Sequence, residues 1–161
     1  MPSLKHDNSR CAVQPSRNDN PAAFLANTYF SEVATNAKAP EGYVSEFINF
    51  KASVSGFDLQ ALSSDAVSPY LTFTTLPYYD VTSCAKFCDS TKGCKSFNIY
   101  FERSPKTPPT DGCTNPPSIT TIKCAVYNKP ITKASATNVG QYQLDFHVVI
   151  AGSNAYNARQ R

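Results

Sequence analysis

Apolar and polar residues alternate most regularly at Phe97, Ile99 and Phe101, with Asn98, Tyr100 and Glu102 between them. A period of two predicts a strand over residues 94–103. The same period runs through Tyr142, Leu144, Phe146, Val148 and Ile150 against Gln141, Gln143, Asp145, His147 and Val149. It predicts a last strand over 141–151, closed by Gly152-Ser153-Asn154. Shorter strands are expected over 43–51, 70–76 and 121–127, where aromatic, Thr and β-branched residues cluster. Helical signals are fewer. Asp80 is a helix N-cap for residues 81–90, and Lys92-Gly93 is the expected stop. Asn20-Pro21 opens a short helix through Phe24 and Leu25. A second, over 29–37, places Phe30, Val33 and Ala37 at spacings of three and four.

Between these elements, residues 53–69 read as a loop anchored by Phe57, Leu59 and Leu62. Residues 104–118 hold Pro105, Pro108, Pro109, Pro116 and Pro117 and cannot pair as a central strand. They form a long excursion between two strands. The sum is an α+β domain: an antiparallel sheet, one helix against it, and an N-terminal extension with short helices. We divide the chain into an arm (1–19) anchored at Cys11, one domain (20–156) and a tail (157–161).

Six cysteines constrain this outline further. Cys84 and Cys88 lie four apart on the expected helix and share a face. The short Cys88–Cys94 loop closes easily. Cys84 then reaches to Cys124 in the 121–127 strand, and Cys11 pairs with Cys113 by elimination. Zinc fits less well. Cys84-x3-Cys88 is half a knuckle, but Cys113 and Cys124 do not supply the other half, and only His6 and His147 stand by. We therefore expect no metal.

Composition bears on partners and compartment. Net charge is +3 with no basic run, which excludes the phosphate-neutralising stripe of a nucleic-acid binder. No apolar run is long enough to span a membrane. Paired cysteines imply an oxidising, extracellular location. Residues 1–6 lack the apolar stretch of a signal peptide, so secretion requires that a signal has been removed. Charged residues make up 17% of the chain, and no Asn-x-Ser/Thr glycosylation signal occurs.

The run from Cys84 through Phe87, Cys88, Gly93 and Cys94 to Phe97 resembles the helix–strand signature of PAN/apple domains. Tyr79-Asp80, the stretch Phe97–Arg103, Gly112-Cys113-Thr114-Asn115-Pro116, Ile122-Lys123-Cys124 and Val149–Asn154 resemble motifs of secreted fungal PAN-like proteins. The resemblance spans about Cys11 to Tyr156, and the long segment before Tyr79 departs from a plain apple domain. It implies a fold with the helix bridged to a central sheet, and a module that binds proteins or carbohydrates.

Catalytic signatures are missing: no Gly-x-Ser-x-Gly elbow, no phosphate loop, and two histidines poorly placed to act as bases. We expect neither a cofactor nor an enzyme. Glu102 and Asp145 are the pair of acids a glycosidase reading would need. For binding, Asn98, Tyr100, Glu102 and Arg103 form one polar row, and Gln141, Gln143 and Asp145 another. If the two rows adjoin, their amide, phenol and carboxylate groups suit sugar hydroxyls. Asn154 and Tyr156, past the last strand, form a second patch. The competing reading is a buried polar network beneath the N-terminal extension, with Asn154 and Tyr156 as a terminal clamp. The expected partner is a glycan or an extracellular protein.

Overall fold

The computed structural model describes residues 11–55 and 68–160. Phe57, Leu59, Leu62 and His6 lie outside them. The described chain forms helices α1 (Pro21–Ala26), α2 (Thr28–Asn36) and α3 (Val81–Ser90). Its strands are β1 (Tyr43–Phe50), β2 (Tyr70–Leu76), β3 (Ser96–Pro105), β4 (Ser118–Tyr127), β5 (Gln141–Gln143) and β6 (Phe146–Ala158). The strands make one antiparallel sheet in the order β1-β6-β3-β4-β2, with β5 paired to β6.

Strand β3 sits at the centre, and Ser96 to Arg103 are all buried. One face of the sheet carries Phe97, Ile99, Cys124, Val126 and Tyr156 beneath α3, with Phe101 and Ala151 beneath α1 and α2. The other face carries Tyr100, Ala125, Tyr127, Ile150 and Ala155, covered in part by Val54 and Ile131. Helix α3 starts where Asp80 accepts from the Thr82 N–H at 3.0 Å. It ends at Ser90, the expected last residue, capped by Thr91, and Gly93 makes the expected left-handed turn on the way into β3. On α2 the expected Phe30 is buried and the expected Val33 packs partly buried against the same cluster, while Ala34, which was not expected, is the second fully buried residue and Ala37 caps the helix end.

Bridges Cys84–Cys124, Cys88–Cys94 and Cys11–Cys113 tie α3 to β4, the end of α3 to the approach to β3, and the N-terminal segment to the proline-rich excursion. That excursion is shorter than its prolines imply. Pro105 pairs with Ser118 at the sheet's end, leaving residues 106–117 outside the strands. A proline is tolerated there because it stands at a strand terminus.

The largest difference from the expected outline is at the C-terminus. The alternating run 141–151 is not one strand. It folds back at Leu144, whose φ is +53°, and β5 pairs with the start of β6 through Tyr142 and His147. Alternation survives this reversal because both arms of a hairpin share a period of two. Nor does Gly152 end the strand. It adopts φ +56° within a register shift between β3 and β6, and β6 continues to Ala158. A Cβ there would lie 2.8 Å from the Phe30 carbonyl oxygen and 2.9 Å from the Phe101 ring. Glycine therefore permits both the bulge and the close approach of α2. Asn157 and Ala158, expected in the tail, pair with Val44 and Tyr43.

Because a bridge restricts the unfolded chain more as its loop lengthens, separations of 102, 40 and 6 residues rank the three bridges. Paired Cys→Ala variants are expected to lose about 5 kcal/mol at Cys11–Cys113, about 4 at Cys84–Cys124 and about 2 at Cys88–Cys94. Urea melts of the three variants beside the wild type check this order.

Candidate functional site

Asn98 is wholly buried between β3 and β6. Its amide nitrogen donates to Ser153 Oγ and the Asn154 carbonyl, each at 2.9 Å, and its oxygen accepts from the Val54 N–H at 2.9 Å. These bonds hold residues 53–55 onto the sheet.

Asn154 and Tyr156 lie inside β6, not beyond it, and neither is exposed. The Asn154 oxygen accepts from the Asn49 N–H at 2.8 Å, and its nitrogen donates to the Ala34 carbonyl and the Tyr156 hydroxyl, each at 2.9 Å. One side chain thus joins β1, the end of α2 and β6. It also steadies Asn49 at φ +60°, a conformation few non-glycine residues adopt.

Arg103 does not share the row of Asn98, Tyr100 and Glu102. Side chains alternate between faces along a strand, and an odd-numbered neighbour of Glu102 must point the other way. Its guanidinium is 2% exposed, lies 4.3 Å from the centre of the Phe146 ring and bonds Asp19 at 3.0 Å and the His147 carbonyl at 2.9 Å. Asp19 also accepts from the Ser118 N–H and hydroxyl. Residues 11–19, expected as an arm, are thereby fastened to the sheet at Asp19 as well as at Cys11.

Gln141 and Gln143 are exposed on β5, which pairs with β6 and not with β3, so the two expected polar rows do not adjoin. Asp145 lies in the hairpin turn, its N–H bonded to the Thr114 carbonyl at 3.1 Å. His147 stacks on Tyr142 with ring centres 4.2 Å apart.

Tyr100 and Glu102 remain on the face away from the helices. The Tyr100 phenol is pushed well up by burial and then by the Glu102 charge, while a bond with Ser53 pulls the other way. Glu102 accepts from Lys123 Nζ at 2.9 Å and from Ser104 Oγ at 2.9 Å. Lys123 in turn lies 5.1 Å from the centre of the Phe73 ring. Register explains the grouping: Tyr100 opposes Lys123, Lys123 opposes Thr75, and Ala125 opposes Phe73. Directly opposed residues share a face, so carboxylate, ammonium and aromatic ring form a row across β3, β4 and β2. The ion pair is recessed, with Glu102 and Lys123 side chains 12% and 25% exposed, whereas Phe73 is 48% and Ile119 46% exposed.

Phe73 and Lys123 were not among the sequence candidates. Each lies in an expected strand, but only the β3–β4 register puts Lys123 beside Glu102 and only the β2–β4 register brings Phe73 to Lys123. Among the described residues no cluster of His, Cys, Asp and Glu is arranged to hold a metal, and no helix is long and apolar enough to cross a membrane. No family profile, curated protein or solved structure matches the chain.

Two pH effects follow from the buried groups. Burial pushes the Asp19 carboxyl up, but bonds from Ser118 and Arg103 more than offset this and hold it below its ordinary 3.8. A lowered folded-state pKa stabilises the fold above the unfolded value and ceases to do so as pH falls through the folded one. Melting temperature is expected to drop below about pH 4, and less steeply in Asp19→Asn. At the alkaline end, burial raises Tyr79, Tyr100 and Tyr127. Their contribution is complete below about pH 10 and lost above it. Part of the phenolate absorbance should therefore appear only as the protein unfolds, which a titration followed at 295 nm and by circular dichroism reads directly. Asn98→Leu should cost about 1–3 kcal/mol, because the Val54 N–H is left buried without its acceptor.

Proposed function

We propose that this chain is a secreted, non-catalytic recognition domain of PAN/apple type that binds carbohydrate or a glycoprotein. The row Phe73–Lys123–Glu102 carries the reading. A half-exposed ring offers a flat apolar platform, and beside it stand a carboxylate, an ammonium and the hydroxyls of Thr75, Thr121 and Ser104. A sugar presents the matching combination, an apolar ring face edged by hydroxyls that both donate and accept. The row spans adjacent strands of a disulfide-tied sheet, so little ordering is required on binding.

Three bridges with no free cysteine among the described residues favour an oxidising, extracellular setting. The acid pair of a glycosidase has less support. Glu102 is engaged by Lys123 and Ser104, and Asp145 lies in the β5–β6 turn.

A protein partner is the second reading. Val139, Tyr142 and Leu144 around the β5–β6 hairpin are 65%, 68% and 52% exposed, an apolar group of the kind interfaces cover.

The oxidised protein on a glycan array is expected to retain a coherent set of sugars. Phe73→Ala and Glu102→Gln should each weaken that binding about tenfold, the loss of one stacking contact or one charged hydrogen bond. Tyr142→Ala should leave it unchanged. An empty array, together with capture of a cell-surface protein that Tyr142→Ala abolishes, would replace the glycan reading with the protein one.

A further inference from the structure

Helices α1 and α2 meet at a single residue. Asn27 closes α1, its N–H donating to the Phe24 carbonyl at 3.2 Å, and opens α2, its side-chain oxygen accepting from the Tyr29 N–H at 3.0 Å. Its backbone is extended, with φ −71° and ψ 110°, so the two helices cannot run on in line. Beside their bend, against the end of β1 and the bulge at Gly152, lies a cleft of about 210 Å³. Leu25, Phe30 and Ala151 give it an apolar side. Asn27, Thr28, Ser31, Asn49 and Lys51 give it a polar one.

The polar side is held in place from within the protein. Asn154, wholly buried, fixes the Asn49 N–H at 2.8 Å, and Asn49 Nδ2 donates to Ser31 Oγ at 2.6 Å. Among the described residues the Asn49 side-chain oxygen, the Thr28 hydroxyl and the Lys51 ammonium have no protein partner. Groups positioned in this way lose little freedom when a ligand takes them up.

The lining narrows the class of ligand. Lys51 is the only charged residue on it among the described residues, and the first turn of α2 holds no acid, so charge selects an anion. The amides and hydroxyls of Asn27, Thr28, Ser31 and Asn49 both donate and accept, as alcohol groups require. The apolar side suits the carbon face of a ring. A volume of about 210 Å³ equals about seven waters at about 30 Å³ each, room for one sugar unit and not for a longer chain.

We propose that this cleft binds a sugar acid, a single monosaccharide unit that carries a carboxylate. Lys51 takes the carboxylate, Asn49 and Thr28 take ring hydroxyls, and the Leu25 side takes the ring face. A neutral sugar gains nothing from Lys51, and a bare carboxylate leaves the hydroxyl partners and the apolar side unused. The site is separate from the row Phe73–Lys123–Glu102, which lies on the other face of the sheet, and neither depends on the other.

Amide NMR of the isotope-labelled, oxidised full chain, titrated with glucuronate, glucose and acetate in turn, tests the proposal. Glucuronate is expected to shift the amides of residues 25–31, 49–51 and 151–152 saturably in the millimolar range. Glucose and acetate should each bind at least about tenfold more weakly, glucose for want of the charged hydrogen bond and acetate for want of the hydroxyls and ring. Added salt should weaken glucuronate binding. Lys51→Gln should weaken it about tenfold and Lys51→Arg should preserve it. Asn49→Gly accepts the left-handed backbone and keeps the N–H bonded to Asn154, so the fold should persist while affinity falls about threefold or more with the lost amide. Phe73→Ala should leave glucuronate binding unchanged, and a loss there would place the sugar on the other face and overturn the proposal. No shift at these residues up to tens of millimolar glucuronate overturns it as well. So does a response to glucose or acetate equal to that with glucuronate, or undiminished binding by Lys51→Gln.

Discussion

Strand β3 is buried on both faces for eight consecutive residues, so every polar group it carries must find its partner inside the protein. Ser96, Asn98 and Glu102 meet that requirement, and Arg103 meets it at its two terminal nitrogens while its Nε stays buried without a partner; each is tied to a different part of the chain. Ser96 donates to the Lys129 carbonyl, Asn98 holds Val54, Glu102 holds Lys123, and Arg103 holds Asp19. The central strand thus acts as a hub to which the irregular segments are tied. Water would satisfy the same groups if the segments came away, so the net gain per bond is modest. An unpaired group left buried costs more than the bond gains, and this asymmetry makes the arrangement specific.

A second hub lies on β6. The Asn154 amide joins β1, α2 and β6, while the nearby Gly152 lets α2 and the Phe101 ring come close. Tyr79, at the entry to α3, stacks on Phe101 and donates to the Gly152 carbonyl at 2.7 Å. The N-terminal helices and α3 are thereby linked through one stretch of β6, on the face that also carries the Cys84–Cys124 bridge. Helices α1 and α2 have 6 and 9 residues, too short to be stable alone. They depend on the contacts with Phe101, Ala151 and Asn154. Among the described residues the opposite face carries no α-helix, and it is there that an aromatic ring, an ammonium and a carboxylate stand in a row.

Much of this was legible in the chain. The N-caps Asn20 and Asp80 act through bonds two or three residues away, so they are readable locally. The alternation at residues 97–102 reports a strand whatever its neighbours are. The short Cys88–Cys94 loop leaves little choice of partner for either sulfur. The hairpin at Leu144 was hidden because a strand and a folded-back pair of strands have the same period, and leucine gives no hint of a left-handed turn. The persistence of β6 past Gly152 was hidden for a related reason. In a local reading a Gly-Ser-Asn stretch is a stop, and only the Phe30 and Phe101 atoms packed against it make it a bulge within a longer strand.

The sequence by itself determined the types of element, the caps and the mixed helix-and-strand class, because these rest on interactions a few residues long. Tertiary structure decided which polar residues face inward and which recessed ion pair lies beside an exposed ring. Asn98, Arg103 and Asn154 look like surface chemistry in a list of residues. They became internal fasteners once β3 and β6 were covered. Phe73 and Lys123 look like ordinary strand residues and acquired a common neighbour in Glu102 through the β2–β4–β3 register. Register depends on pairing between segments about twenty (β3–β4) to fifty (β2–β4) residues apart, where no local preference reaches, and a shift of one residue would send each side chain to the other face.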